Sequence, residues 1–148
     1  MKLKFRAWMK QFKKMDNDIG EMHFEDGEFK YIGDDVHYKR LPEDIILMQS
    51  TGLFDKNGKE IFEEDLIITN AYACIVCFGE YTYFEDEDTQ TTAIGFYLSF
   101  LNVTPATYAP FEKCYWDNCE VIGNIHENEL DLIMYEAWKF NKELEDET

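Results

Sequence analysis

Four cysteines supply the first candidate site in the sequence. Cys74 and Cys77 form a C-x-x-C pair, and Cys114 and Cys119 follow after a long insertion. Two thiolate pairs in this arrangement have the outline of a tetrahedral zinc centre. The segment YACIVCF, however, has the composition of a continuous strand, in which residues three apart point to opposite faces of a sheet. We therefore expect free thiols that pack as small apolar groups, and no metal site.

Three histidines and two serines are the candidates for nucleophile and base chemistry. His23, His37 and His126 lie far apart in the sequence, and Ser50 and Ser99 are its only serines. Neither serine lies in a GxSxG turn, and no glycine-rich loop is present to hold a phosphate. Such groups can still meet in space. The sequence alone assigns no catalytic and no cofactor-binding residue, and it predicts that the chain is not an enzyme.

Carboxylates are too abundant to mark a site by themselves. The chain has 31 Asp and Glu residues, so some pairs must lie close together whatever the function. The acidic runs at 16–18 and 85–88 resemble loose cation sites, but neither has the glycine and the terminal glutamate of a calcium loop. We expect both runs to be solvated loops.

The charge of the chain is distributed unevenly. The formal net charge is -17, yet the first 14 residues hold six basic side chains and no acidic one. Nucleic-acid binding requires cations that displace counterions, so no direct contact with nucleic acid is expected. A basic patch on the N-terminal strand, with Trp8 and Phe12 for stacking, is the alternative. The favoured interpretation is an edge strand whose lysines block aggregation.

Two further features predict where the protein resides. The start MKLKFRAW lacks the apolar run of a signal peptide. No segment approaches the ~20 apolar residues of a membrane-spanning helix. We expect a cytoplasmic protein that makes no membrane contact and keeps its thiols reduced.

The N-terminal third of the chain shows strand patterns. Residues 2–9 alternate between apolar and mostly basic side chains, which predicts a half-buried strand. Residues 22–32 centre on Asp26-Gly27, a dipeptide that favours a two-residue hairpin turn. With Glu25 opposite Glu28, the register places Phe24 opposite Phe29 and Met22 opposite Tyr31.

Short strands and turns dominate the middle of the chain. Segment 55–58 suits a type I turn, and a two-residue turn at Asn57-Gly58 is the competing prediction. Gly95 marks a bulge or a bend within a long strand. Residues 104–113 are expected to be irregular. The predicted strands are 45–48, 53–54, 66–68, 72–78, 81–84, 91–101 and 120–125.

After Asn128 the apolar period changes from two to between three and four, which predicts a C-terminal helix over 128–145. Its apolar stripe consists of Leu130, Ile133, Met134, Ala137 and Trp138. The fold class is therefore mostly β with a C-terminal helix. We expect one domain, 1–148, with sub-regions at 1–41, 42–127 and 128–145.

Three stretches carry a resemblance to a known family. They are KFRAW at 4–8, MQSTGLFDKNGKEIFEEDLI at 48–67 and VIGNIHEN at 121–128. Together they resemble the YopX family of small bacteriophage and prophage proteins. The resemblance implies a β-rich fold with a small SH3-like barrel and an N-terminal β-hairpin region, but no known reaction. Glu64 stands where the family pattern usually has glycine, and HENEL replaces its proline-containing ending.

The matched signature is rich in turn formers, so architecture is its simplest explanation. It consists of Thr51-Gly52, Asp55, Asn57-Gly58, Asp65 and Gly123-Asn124. The expected function is that of a non-enzymatic phage accessory protein in the cytoplasm of a bacterial host, which binds a protein partner or itself as a homo-oligomer. One alternative is an acidic DNA mimic that occupies a DNA-handling protein. Another is an enzyme or small-ligand binder whose site is assembled from distant residues.

Overall fold

The computed structural model describes residues 3–101 and 103–128. Within this range the chain forms eleven strands, one short α-helix and one 3₁₀ turn. Two compact units meet between Ser50 and Thr51. The division at 1–41 and 42–127 stays a prediction, and the predicted C-terminal helix lies beyond the described residues except for its first residue.

The first unit contains a sheet and a separate hairpin. In the sheet, β1 lies between β2 and β5, and β5 begins in this unit and ends in the second. Ala7, Ile32 and Ile45 form the buried core of the unit. The elements are β1 (Phe5–Met9), β2 (Lys14–Asp16), β3 (Met22–Glu25), β4 (Glu28–Ile32), the 3₁₀ turn Pro42–Asp44 and β5 (Ile45–Phe54).

The hairpin of β3 and β4 confirms the predicted turn and half of the predicted register. Asp26 and Gly27 both have positive φ, as a two-residue turn of this type requires. Glu25 pairs with Glu28 and Phe24 with Phe29, but the register then shifts by one residue, so that Met22 faces Ile32. The predicted pairing of Met22 with Tyr31 is wrong because of this bulge.

The basic N-terminal strand is an interior strand, so the prediction of an edge strand is wrong. β1 pairs with β2 on one side and with β5 on the other. Arg6 was expected on the polar face, yet only 5% of it is exposed. The alternation of side chains along a strand does not show whether other parts of the chain cover its polar face, so it does not predict this burial.

The second unit is built on a five-stranded antiparallel sheet in the order β10-β9-β8-β7-β11, and β6 lies beside the end of β5. The sheet curls into a half-barrel. Its elements are β6 (Glu60–Phe62), β7 (Asp65–Thr69), β8 (Tyr72–Phe84), β9 (Gln90–Phe100), β10 (Tyr108–Pro110), helix α1 (Lys113–Trp116) and β11 (Glu120–Asn124).

Two long strands dominate this sheet. β8 and β9 pair from Cys74 opposite Phe100 to Phe84 opposite Gln90 without a register shift. Gly79 lies opposite Gly95, and their φ angles of +147° and +156° are ones that residues with a side chain rarely adopt. The glycine pair is thus a bend and not a bulge, and the segments predicted on either side of Gly79 form one strand.

A buried apolar cluster lies against the curled sheet, and it consists of Ile61, Ile67, Cys74, Val76, Leu98, Cys119 and Val121. Half-buried aromatic side chains pack around this cluster, among them Phe96 and Trp116. The mostly β fold class is confirmed, with the predicted barrel present as a half-barrel. Sequence patterns missed the short strand β10, which falls in the segment expected to be irregular, and helix α1, which begins at the last residue of that segment.

Candidate functional site

The four cysteines do not form a thiolate cluster. Cys74 and Cys119 are buried, Cys77 is half-buried and Cys114 is exposed. Cys74 and Cys77 lie on one continuous strand, as the sequence predicts. Burial raises the pKa of Cys74 to about 12 and that of Cys119 to about 11, so both are protonated near neutral pH. A protonated thiol is a poor metal ligand and a poor nucleophile.

Each histidine shares a hydrogen bond with a carboxylate. His23 contacts Glu21 at 3.0 Å, and His37 contacts Asp34 at 2.6 Å. Both contacts join exposed residues close in sequence. The bond from His37, with backbone N–H groups of the same loop, lowers the pKa of Asp34 to about 2. The His37–Asp34 pair lies in the loop after β4, and the His23–Glu21 pair lies at the start of β3.

The third pair joins residues far apart in the sequence. His126 Nε2 lies 2.7 Å from Glu64 Oε2, and both side chains are partly buried. The backbone adds a second link beside the pair, because the N–H of the neighbouring Ile125 donates to Glu64 O. The pair therefore fastens the segment after β11 to the turn between β6 and β7.

The remaining sequence candidates lie in separate parts of the chain. Ser50 lies buried in β5, and Ser99 lies half-buried in β9. Asp16 pairs with Arg40 at 3.3 Å. The run 85–88 forms the exposed tip of the β8–β9 hairpin, as predicted, where Asp86 Oδ1 accepts the N–H groups of Asp88 and Thr89.

Among residues 3–101 and 103–128, no group of three or more His, Cys, Asp or Glu side chains is arranged to hold a metal ion. In the same part of the chain, no helix has both the length and the apolar character needed to cross a membrane.

The carboxylate of Asp55, a residue of the family signature, accepts three backbone N–H groups. Its Oδ1 accepts the N–H groups of Asn57 and Lys59, and its Oδ2 accepts the N–H of Val121 on β11. Gly58 N–H donates to Asp55 O at 3.0 Å, which confirms the type I turn and rejects the two-residue alternative. Burial acts to raise the pKa of Asp55, but these hydrogen bonds and the charge of Lys59 bring it below its usual value.

Three other signature residues also hold backbone groups in place through their side chains. Thr51 Oγ1 donates to Ile61 O at 2.7 Å, and the buried Asp65 accepts the N–H of Phe62 at 2.8 Å. Asn124 Oδ1 accepts two backbone N–H groups of the segment that follows β11. The signature is therefore explained by architecture, as the sequence suggests.

Glu64 provides a test of this architecture. Its φ is +67°, in the left-handed region that a glycine occupies without strain. Glu64→Gly and Glu64→Ala both remove the bond to His126, but only glycine relieves the backbone. We expect Glu64→Gly to be more stable than Glu64→Ala by about 1 kcal/mol, measured by urea unfolding. Equal stability would contradict the argument from backbone strain.

A feature that the sequence analysis missed is an open aromatic pocket in the second unit, with a volume of ≈ 450 Å³. Its aromatic lining consists of Tyr72, Phe84, Phe100, Tyr108 and Tyr115. Phe100 packs edge to face against Tyr72 and against Tyr115, with ring centroids 5.4 and 6.0 Å apart. The volume is within the range of about 300 to 1,000 Å³ that is usual for ligand pockets.

The curvature of β8 assembles this pocket. Tyr72 begins β8 and Phe84 ends it, and a straight strand would hold them about 40 Å apart. Both nevertheless line one pocket, so the strand must bend strongly between them. The Gly79–Gly95 pair lies between the two aromatic residues and has the backbone angles for such a bend.

A row of tyrosines supports one wall of the pocket. Tyr108 packs edge to face on Tyr97, with centroids 5.8 Å apart, and Tyr97 stacks on Tyr81 at 4.6 Å. Tyr81 is only 9% exposed. The wall is therefore packed against neighbouring rings before any ligand arrives.

The pocket has polar groups but no basic side chain among its described lining residues. Asn70 Nδ2 donates to Cys114 O, and Thr107 Oγ1 donates to Pro105 O. The amide oxygen of Asn70 and the hydroxyl oxygen of Thr107 are acceptors. Burial raises the pKa of Tyr115, with a smaller contribution from Glu112, so its hydroxyl group is neutral near pH 7.

Comparison with known proteins places these features in a family. The sequence pattern described as YopX protein matches residues 4–131, most of the chain. The protein belongs to the YopX family. No curated protein matches it. A solved structure, that of protein EF1440 from Enterococcus faecalis, is similar with a TM-score of 0.56 and 26% sequence identity, and the match covers 89% of this chain and 99% of that one.

Proposed function

We propose that this YopX-family protein is a non-enzymatic module that binds a protein partner through the aromatic pocket of its second unit. The observation that carries the proposal is a pocket lined by five aromatic side chains whose only described ionisable groups are tyrosines. Aromatic side chains provide large contact areas at protein interfaces at a small entropic cost.

The lining supports binding over catalysis. General acid and base catalysis needs a group that titrates near the working pH, within hydrogen-bond reach of the substrate. No His, Cys, Asp or Glu is among the described residues that line the pocket. The His126–Glu64 pair lies outside this lining and links the segment after β11 to the turn between β6 and β7.

Three of the lining rings are accessible to a partner. Phe84 is 68% exposed, Tyr72 51% and Tyr108 37%. Exposed aromatic side chains around a concavity are candidates for binding anchors, because a partner that covers them removes much apolar area from water. The proposal includes a phage or prophage origin and a partner met in the cytoplasm of the bacterial host.

A capture experiment with matched variants tests the proposal. Tagged wild-type protein, Phe84→Ser and Ile94→Ser are incubated with nuclease-treated host lysate. Ile94 is 77% exposed on the same hairpin but does not line the pocket. We expect a partner that wild type and Ile94→Ser retain and Phe84→Ser loses, because serine removes the anchoring ring from the pocket.

The captured protein is then purified and shown to bind directly. Circular dichroism of each variant excludes unfolding as the cause of lost capture. A partner held equally by wild type and Phe84→Ser would contradict the proposed site, and so would turnover of a metabolite by the purified chain.

A second candidate function is the acidic decoy of a DNA-handling protein. The observation that favours it is the charge of residues 51–128, with 14 acidic and three basic side chains. Binding of this kind depends on long-range attraction, which ~0.5 M salt screens strongly. A DNA-binding partner that is released by salt and retained by Phe84→Ser would favour the decoy over the pocket.

A further inference from the structure

Resting on the proposed function, we infer that the aromatic pocket receives an arginine side chain from a basic segment of the partner protein. The inference concerns the chemistry of the ligand. It depends on three independent features, which are the aromatic lining, the neutral acceptors and the charge of the second unit.

The aromatic lining suits a planar cation. The face of an aromatic ring carries partial negative charge and attracts a cation within about 6 Å of its centre. In the edge-to-face pairs that Phe100 makes with Tyr72 and Tyr115, the rings stand at interplanar angles of 84° and 69°. The pocket walls are therefore rings in different orientations, and a flat guanidinium group can stack on one while its edge meets another.

The polar groups of the pocket include oxygen acceptors that suit the N–H donors of a guanidinium group. A guanidinium group has five N–H donors and no acceptor. The Asn70 side chain donates one of its two N–H groups to Cys114 O, and its amide oxygen can accept a hydrogen bond. Thr107 likewise donates its hydroxyl proton to Pro105 O and keeps oxygen lone pairs.

The charge of the second unit favours a basic partner over a second copy of this chain. Residues 51–128 include 14 Asp and Glu, and their three basic residues, Lys56, Lys59 and Lys113, do not line the pocket. Glu112 lies close enough to Tyr115 to raise its pKa, and Glu85 accepts a hydrogen bond from Tyr83 beside Phe84. A second copy carries a net charge of -17 and is repelled, whereas a basic segment is attracted.

A pair of isosteric probes tests the inference. N-acetyl-arginine methylamide and N-acetyl-citrulline methylamide have nearly the same shape, but only the first is charged. Each is titrated into ¹⁵N-labelled full-length protein at low salt. We expect saturable shifts of the backbone amides of the five lining residues, with the arginine probe binding about tenfold more tightly than the citrulline probe.

Variants establish where the probe binds. Phe84→Ser and Tyr72→Ser are expected to weaken the arginine probe about fivefold or more, and Ile94→Ser is expected to leave it unchanged. Equal affinity for the two probes, or shifts that persist in Phe84→Ser, would overturn the inference. Tighter binding of N-acetyl-lysine methylamide than of the arginine probe would also overturn it, in favour of an ammonium group.

Failure of this inference is distinguishable from failure of the proposed function. If the two probes bind equally while Phe84→Ser still abolishes partner capture, the pocket binds an uncharged segment of the partner. The arginine inference then fails, but the proposed protein-binding function stands. If Phe84→Ser leaves partner capture intact, the proposed function itself fails.

Discussion

Asp55→Ala is expected to lower the free energy of unfolding by about 3 to 5 kcal/mol. The carboxylate is 7% exposed and accepts three backbone N–H groups, at distances of 2.8 to 2.9 Å. Alanine leaves those donors without their acceptor in a site with little water. The Asp55 carboxylate joins two segments that are distant in the sequence, because two of its donors belong to the turn after β5 and one is Val121 on β11.

Urea unfolding of matched variants measures this loss. Asp55→Asn retains one acceptor oxygen, so about half of the loss is expected. Asp117→Ala, at an exposed position of the same unit, is the control and should change stability by less than about 0.5 kcal/mol. An Asp55→Ala protein as stable as the control would contradict the structural role of the signature.

The same residue predicts how stability depends on pH. The folded-state pKa of Asp55 lies below its usual value, so the folded state holds the carboxylate ionised more strongly than the unfolded state does. This contribution is fully present above the unfolded pKa of about 3.9 and is lost as pH falls through the lower folded pKa. The acid-induced loss should be smaller in Asp55→Asn than in wild type.

Alanine substitutions at the glycine pair of the long hairpin, Gly79 and Gly95, are expected to affect both the stability of the protein and its binding. An alanine Cβ at Gly79 or Gly95 would meet no atom within 4 Å, so space is not the obstacle. The φ angles of +147° and +156° are the obstacle, and each substitution should cost about 1 to 3 kcal/mol. The chain can avoid that cost by straightening β8, which would move Phe84 away from Tyr72.

The double variant Gly79→Ala/Gly95→Ala should therefore lose stability, partner binding or both. Unfolding in urea and titration with the arginine probe measure the two effects. Gly20→Ala is the control, because Gly20 has open space for a Cβ and no positive φ. Wild-type stability together with wild-type binding in the double variant would show that the bend does not form the pocket.

Features specified by a few neighbouring residues could be predicted from the sequence. The Asp26-Gly27 turn follows from backbone preferences alone, and so do the first two residue pairs of its hairpin. The bulge that follows depends on Ile32, which is fully buried and exchanges backbone hydrogen bonds with Arg40. Those contacts are distant in sequence, so the local pattern does not reveal them.

The buried position of Arg6 and the aromatic pocket were missed for a related reason. Alternation identifies β1 as a strand, but it does not show which distant segments cover its polar face, on which Arg6 is only 5% exposed. The five aromatic residues of the pocket lie on three strands and one helix and, apart from Tyr72 and Phe84 on β8, come from different elements. Only the curvature of the sheet brings them together. The sequence signal that could have indicated this curvature is the presence of Gly79 and Gly95 within long strands rich in aromatic residues.

The central claim is that the aromatic pocket binds a protein partner. The most direct measurement is the dissociation constant of the purified partner for wild type, Phe84→Ser and Ile94→Ser by isothermal titration calorimetry. We expect Phe84→Ser to weaken binding about tenfold or more, as for an interface anchor, and Ile94→Ser to bind as wild type does. Equal affinity of wild type and Phe84→Ser would contradict the claim.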